Sequence, residues 1–164
     1  LNLPGSKEGA PLPTISVLVE KQGDHVKGKE VFQTLCSNCH QVNGEGVNFG
    51  PDLSEIGTKL SKEALYTSIL YPDQGISFGF EGYRLQLNDG AVAIGKIVSE
   101  TADQIELQFM NNTQTVMKDK VISRSKLESS LMPANLQSSM SEQELVNLIS
   151  YLETLRKDER LTKN

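Results

Sequence analysis

Cys36 and Cys39 are the only cysteines of the chain, and His40 is one of its two histidines. They stand together as Cys36-Ser37-Asn38-Cys39-His40. This is the spacing of a c-type haem attachment site. Two thiols three residues apart on one helical turn can reach the two vinyl groups along one porphyrin edge. The histidine that follows at once can turn its imidazole under the ring and ligate the iron. Other chemistries suit these residues poorly. A dithiol redox pair expects a preceding strand in a βαβ setting, whereas residues 26–35 pattern as helix. A structural zinc site takes four ligands, and only Cys36, Cys39, His25 and His40 are available, with His40 too close to Cys39. A Cys36–Cys39 disulfide would close a very small loop and add little stability.

The elements around the motif follow from periodicity and caps. Asp24 is a candidate N-cap for a helix over residues 26–39, with Gly28, Val31, Phe32 and Leu35 on one face. A glycine-rich loop over 44–53 follows, without the Lys-Ser/Thr of a phosphate loop. Ser61 caps a second helix, with Leu65, Ile69 and Leu70 turned inward and Pro72 and Gly75 ending it. From about residue 78 the period changes to alternation. Tyr83, Leu85 and Leu87 lead into Asn88-Asp89-Gly90, a strong hairpin turn. Val92, Ile94 and Val98, then Ile105, Leu107 and Phe109, then Val116 and Val121-Ile122 extend the run. This reads as about five short strands in a small antiparallel sheet or barrel. Ser141 and Glu144 form a capping-box pair for a last helix with Leu145, Leu148, Ile149, Leu152 and Leu155 on its buried face. Residues 1–13, with three prolines and two glycines, read as a linker or loose arm. The run over 15–19 is apolar and of undecided type.

Composition narrows the function classes. Net charge is −5, with no basic run of the kind that grips nucleic acid. No stretch is long and apolar enough to span a bilayer. No signal peptide or initiator Met is present, so a mature form or an excised domain is expected. Hydrophobic residues make up 37% of the chain, and a covalently held porphyrin would add apolar surface to that core.

Taken together, these pieces resemble a class I c-type cytochrome. Gly28 and Phe32 stand where that family has a small and an aromatic residue in its first helix. Leu148 and Tyr151 look like the pair that crosses them in the last helix. Gly50-Pro51-Asp52-Leu53 looks like the loop after the haem motif, and Met132-Pro133 like the distal loop. The resemblance implies a helical cytochrome fold, and the expectation is therefore a mainly α chain with a small antiparallel β insertion. It implies covalent haem on Cys36 and Cys39, and His40 and Met132 as axial ligands. The Pro51 carbonyl would accept from the His40 imidazole, and Phe32, Leu53 and Tyr151 would shape the pocket. The β segment, absent from small class I cytochromes, looks like the planctomycete/verrucomicrobium-type haem-binding domains, which commonly form modules of larger exported proteins. The division this implies is an arm over 1–23, a haem domain over 24–75 and 129–157, a β insertion over 76–128 and a tail over 158–164. The insertion reads either as a lid over exposed haem surface or as a docking surface for a partner.

The residues themselves leave alternatives for the sixth ligand. Met110 and Met117 fall in or beside strands, Met140 precedes the last helix, and Met132 alone lies in a loop stiffened by proline. Methionines more often fill core gaps than bind metal, and His25 or an open position stay in view. Tyr71, Tyr83 and Arg84 are candidate contacts for haem propionates, against ordinary packing. Asp52 and Glu45 read as loop solvators. No paired-carboxylate or Ser-His-Asp constellation is visible. The expected function is therefore electron transfer by a single covalent haem, not enzymatic catalysis. The partner would be an exported redox protein or a fused dehydrogenase domain, with no role for nucleic acid or a membrane span. Haem attachment of this kind takes place outside the bacterial cytoplasm, so a periplasmic or otherwise exported location is implied. The alternatives are a gas sensor or a peroxidase-like enzyme with an open distal site, or haem as a structural staple.

Overall fold

A computed structural model describes residues 4–158. The first helical turn, α1 (Ile15–Leu18), leads into α2 (His25–Leu35). The Asp24 carboxylate accepts from the amides of Val26 and Lys27 and so starts α2. The helix ends at Leu35, four residues earlier than the expected end at Cys39. After Leu35 the backbone bonds tighten and slip: both Cys36 and Ser37 donate to the Phe32 carbonyl, and His40 donates to that of Cys36. The cysteines therefore sit on turns that continue α2 rather than within it. A two-residue hairpin, β1 (Gln41–Val42) with β2 (Glu45–Gly46), follows, then α3 (Ile56–Lys59) and α4 (Lys62–Leu70). Ser61 caps α4 by accepting from the Ala64 amide at 3.2 Å.

Five strands come next: β3 (Gly82–Leu87), β4 (Val92–Glu100), β5 (Gln104–Phe109), β6 (Asn112–Met117) and β7 (Val121–Lys126). They form one antiparallel sheet in the order β6-β5-β4-β3-β7. The Asn88-Asp89-Gly90 turn joins β3 to β4, with Gly90 at φ +86° as such a turn requires. The last helix, α5 (Glu142–Thr154), opens on a full capping box between Ser141 and Glu144.

The expectation of a mainly α chain with a small β insertion is not met. The structure is 33% helical and 25% strand, with seven strands in all among the described residues. The reason is physical. Four of the five helices are 11 residues or shorter, while β4 alone runs for nine. The five-stranded sheet also builds a core of its own from Leu85, Ala93, Ile105, Leu107 and Val116. The helices share a second, larger core in which Phe32, Leu65, Tyr66, Leu145, Leu148 and Ile149 are buried.

Two contacts determine how the helices meet. Gly28 lies against α5, where a Cβ would overlap the Asn147 carbonyl oxygen and stand 2.8 Å from the Tyr151 Cβ. Phe32 and Tyr151 pack ring to ring beside it, with centroids 5.5 Å apart and a tilt of 59°. The N-terminal segment is packed rather than loose over its described part. Leu12 and Leu18 are buried, Lys7 donates its amide to the Met140 carbonyl and pairs with Glu144, and the Tyr66 hydroxyl donates to the Leu18 carbonyl. Residues 1–3 and, beyond Asp158, the expected tail lie outside the described residues.

Candidate functional site

The turns after α2 carry Cys36, Cys39 and His40 onto the wall of a cavity of about 310 Å³, within the usual range for small-molecule pockets. Phe32 and Leu35 of α2, Leu53, Ile56 and Leu60, Leu65 and Ile69 of α4, and Leu152 of α5 make its helical side apolar. The far side is closed by Phe80, Lys96, Met110 and the loop carrying Leu131, Met132 and Pro133.

His40 is held from one side. Its Nδ1 lies 2.7 Å from the Pro51 carbonyl oxygen. A carbonyl can only accept, so Nδ1 donates, and in the neutral ring the lone pair is left on Nε2. Burial holds the imidazole below its ordinary pKa, against the opposing effect of the Pro51 bond. Gly50 makes the arrangement possible, because a Cβ there would come 2.5 Å from His40 Cε1 and 2.9 Å from Nδ1. Only a glycine lets the loop lie this close to the ring.

The thiols are free, and burial pushes Cys36 up to about 12 and raises Cys39 as well. Thiols held protonated are not the activated thiolates of a dithiol redox pair. No group of three or more metal-binding side chains occurs among the described residues, which leaves no zinc cluster around the cysteines.

The loop bearing Met132 is tied down locally. The Met132 amide donates to Ser130 Oγ at 3.1 Å, and the Ser130 amide to Asp73 Oδ1 at 2.6 Å. Met132 lines the cavity, and so does Met110. Met110 sits in the β5–β6 turn with φ +53°. Met140 is buried in the helical core, and Met117 is exposed on β6. His25 opens α2 on the surface, away from the cavity.

Of the other expected residues, Phe32, Pro51 and Leu53 line the cavity, while Tyr151 backs Phe32 without reaching it. Asp52 is exposed and accepts from the Ser54 amide, and Glu45 is exposed on β2. The candidates for propionate contact, Tyr71, Tyr83 and Arg84, do not line the cavity, in keeping with the alternative of ordinary packing. Tyr83 carries the Arg124 guanidinium over its ring, Arg84 donates to Gln86, and Tyr71 is exposed outside the cavity. The charged side chain that does line it, Lys96, was not legible in the sequence. It stands in a strand as Ile94-Gly95-Lys96-Ile97, where alternation alone does not say what that face meets.

A cavity with apolar walls, two adjacent free thiols, an imidazole with Nε2 unclaimed and a methionine thioether has the donor set of a covalently attached haem. The glycine cradle behind His40 fits the same group. Residues 25–88 match the family model described as Cytochrome c. The match spans α2, the motif, the Pro51 loop, α3, α4 and β3 and ends at Asn88 in the turn that follows. It supports a haem cofactor and an electron-transfer role. No curated protein matches the chain.

Proposed function

We propose that this chain is a monohaem c-type electron-transfer module, with Cys36 and Cys39 holding the haem edge and His40 and Met132 as axial ligands. The observation that carries the reading is the gathering of both thiols, a Pro51-oriented imidazole and the Met132 loop around one apolar cavity. When bound, haem supplies an iron that changes by one electron between ferrous and ferric states. The chain's part is to position it and tune it. The Pro51 carbonyl fixes the His40 tautomer and makes Nε2 a better donor. The apolar walls would keep water from the metal, and the Met132 thioether would favour its ferrous state.

The five-stranded sheet between α4 and the Met132 loop is the basis for placing the chain in the planctomycete/verrucomicrobium-type branch. It also favours the lid reading of that segment, because the sheet braces loops on both sides of the cavity. Gly82 of β3 packs against Leu127 and Leu131 near Met132. Gln108 of β5 donates to the Asn48 carbonyl at 2.9 Å, and Phe109 packs on Phe49 at 5.6 Å. The redox partner is an exported protein or a fused dehydrogenase domain. No helix among the described residues is long and apolar enough to cross a membrane.

The test is mass spectrometry and potentiometric titration of protein made in a host that attaches haem c. One covalent haem per chain and a single one-electron wave are expected. Haem that extracts into acidified organic solvent, or none at all, would overturn the assignment.

A further inference from the structure

Lys96 is the one ionised side chain among the residues lining the cavity. Its ammonium donates to the Phe49 carbonyl at 2.6 Å and lies over the Phe80 ring at 4.7 Å and the Phe49 ring at 5.6 Å. No described carboxylate forms an ion pair with it. One of its three donors is therefore used, two aromatic faces cover part of the charge, and the rest has no counter-ion. Two of its donors thus remain for an anion inside the cavity. Burial lowers its pKa, the direction expected of a cation short of partners.

The position of Lys96 is built by the sheet. Lys96 and Gln108 are directly paired across β4 and β5, so both side chains leave the same face of the sheet. Gln108 reaches the Asn48 carbonyl, and Lys96 reaches that of Phe49, the next residue. The pair clasps the loop that leads into Gly50 and Pro51. Gln108 adds no charge to the clasp. A clasp alone does not require an ammonium, since an amide serves next door.

We propose that Lys96 is the carboxylate-binding group of the cavity and pairs with a propionate of the bound haem. The inference rests on the haem reading above and adds a residue that lies outside the span matched by the family model. A propionate would meet the free donors of the ammonium, and Lys96 would keep it ionised in an otherwise apolar site. The strand carrying Lys96 would then bind the cofactor as well as cover it.

The experiment compares reduction potential against pH for haem-loaded wild type, Lys96→Gln, Lys96→Met, Lys96→Arg and Gln108→Ala. Without the cation, the propionate pKa rises towards neutrality. The potentials of Lys96→Gln and Lys96→Met are then expected to fall with rising pH over a window where the wild type is flatter. At the alkaline end they lie below the wild type, because an uncompensated carboxylate favours ferric iron. Lys96→Arg is expected to restore the wild-type profile. Gln108→Ala, which loosens the clasp without removing charge, is expected to keep it. The propionate bending band in the resonance Raman spectrum should shift in the Gln and Met variants alone. If haem is attached and both neutral variants superimpose on the wild type, the assignment of Lys96 is wrong and the haem reading stands. If wild-type protein attaches no haem, both fail together.

Discussion

In the haem-loaded protein, Met132→Ala is expected to open the distal side of the iron and lower the reduction potential. Removing the thioether takes away a ligand that favours the ferrous state. Axial ligands tune haem potentials over roughly 0.8 V, and a drop of about 0.1–0.2 V is a modest share of that range. The variant's ferric spectrum should turn high-spin. Met132 also packs against the helical core, so Met132→Leu serves as the volume-conserving companion. It should show the same spectral change with little loss of stability. Met110 lines the same cavity and gives the experiment its discriminating arm. If Met110→Leu produces the high-spin spectrum and Met132→Leu does not, the sixth ligand has been placed on the wrong loop.

Gly28→Val should be the most damaging substitution outside the cavity. The glycine faces backbone, and the Asn147 carbonyl cannot yield as a flexible side chain would. The same stretch of α5 is fixed by the Asp24 amide, which donates to Asn147 Oδ1 at 2.9 Å. Forcing a branched side chain into this crossing must part α2 from α5 and pull Phe32 away from Tyr151. Overpacking of this kind costs about 3 kcal/mol. For a chain of this size each kcal/mol moves Tm by roughly 2–4 °C, so thermal unfolding of the holoprotein should begin about 6–12 °C lower. A Tm within about 2 °C of the wild type would show that the crossing is not tight.

Much of the haem-facing half was legible because its signals are local. The 36–40 motif is contiguous. The Asp24, Ser61 and Ser141-Glu144 caps declare helix starts through side chains that bond their own neighbours. Asn88-Asp89-Gly90 declares a hairpin in the same way. What stayed hidden depends on register and on distant partners. Lys96 becomes a cavity residue only because its pairing with Gln108 turns both side chains towards Asn48 and Phe49. The alternation of β4 does not say which loop its faces will meet. The N-terminal segment was hidden by composition. Its prolines and glycines signal irregular backbone, yet Leu12 and Leu18 are buried. Irregular backbone is compatible with tight packing when its amides find partners, as Lys7 does at Met140. The weight of β structure is not legible from the resemblance, whose quoted residues lie on helices and loops. The alternation over 78–127 signals the strands, but not that they share a core of their own in Leu85, Ala93, Ile105, Leu107 and Val116.

With His40 and Met132 both ligating the iron, as proposed, electrons would pass without a substrate at the metal. The direct measurement is the visible spectrum of the haem-loaded protein, oxidised and reduced, before and after carbon monoxide is added. Low-spin spectra are expected, with a weak far-red band from a sulfur–iron bond in the ferric form and a reduced spectrum that carbon monoxide leaves unmoved. A high-spin spectrum, or prompt binding of carbon monoxide, would contradict that ligation and point to an open iron suited to sensing or catalysis.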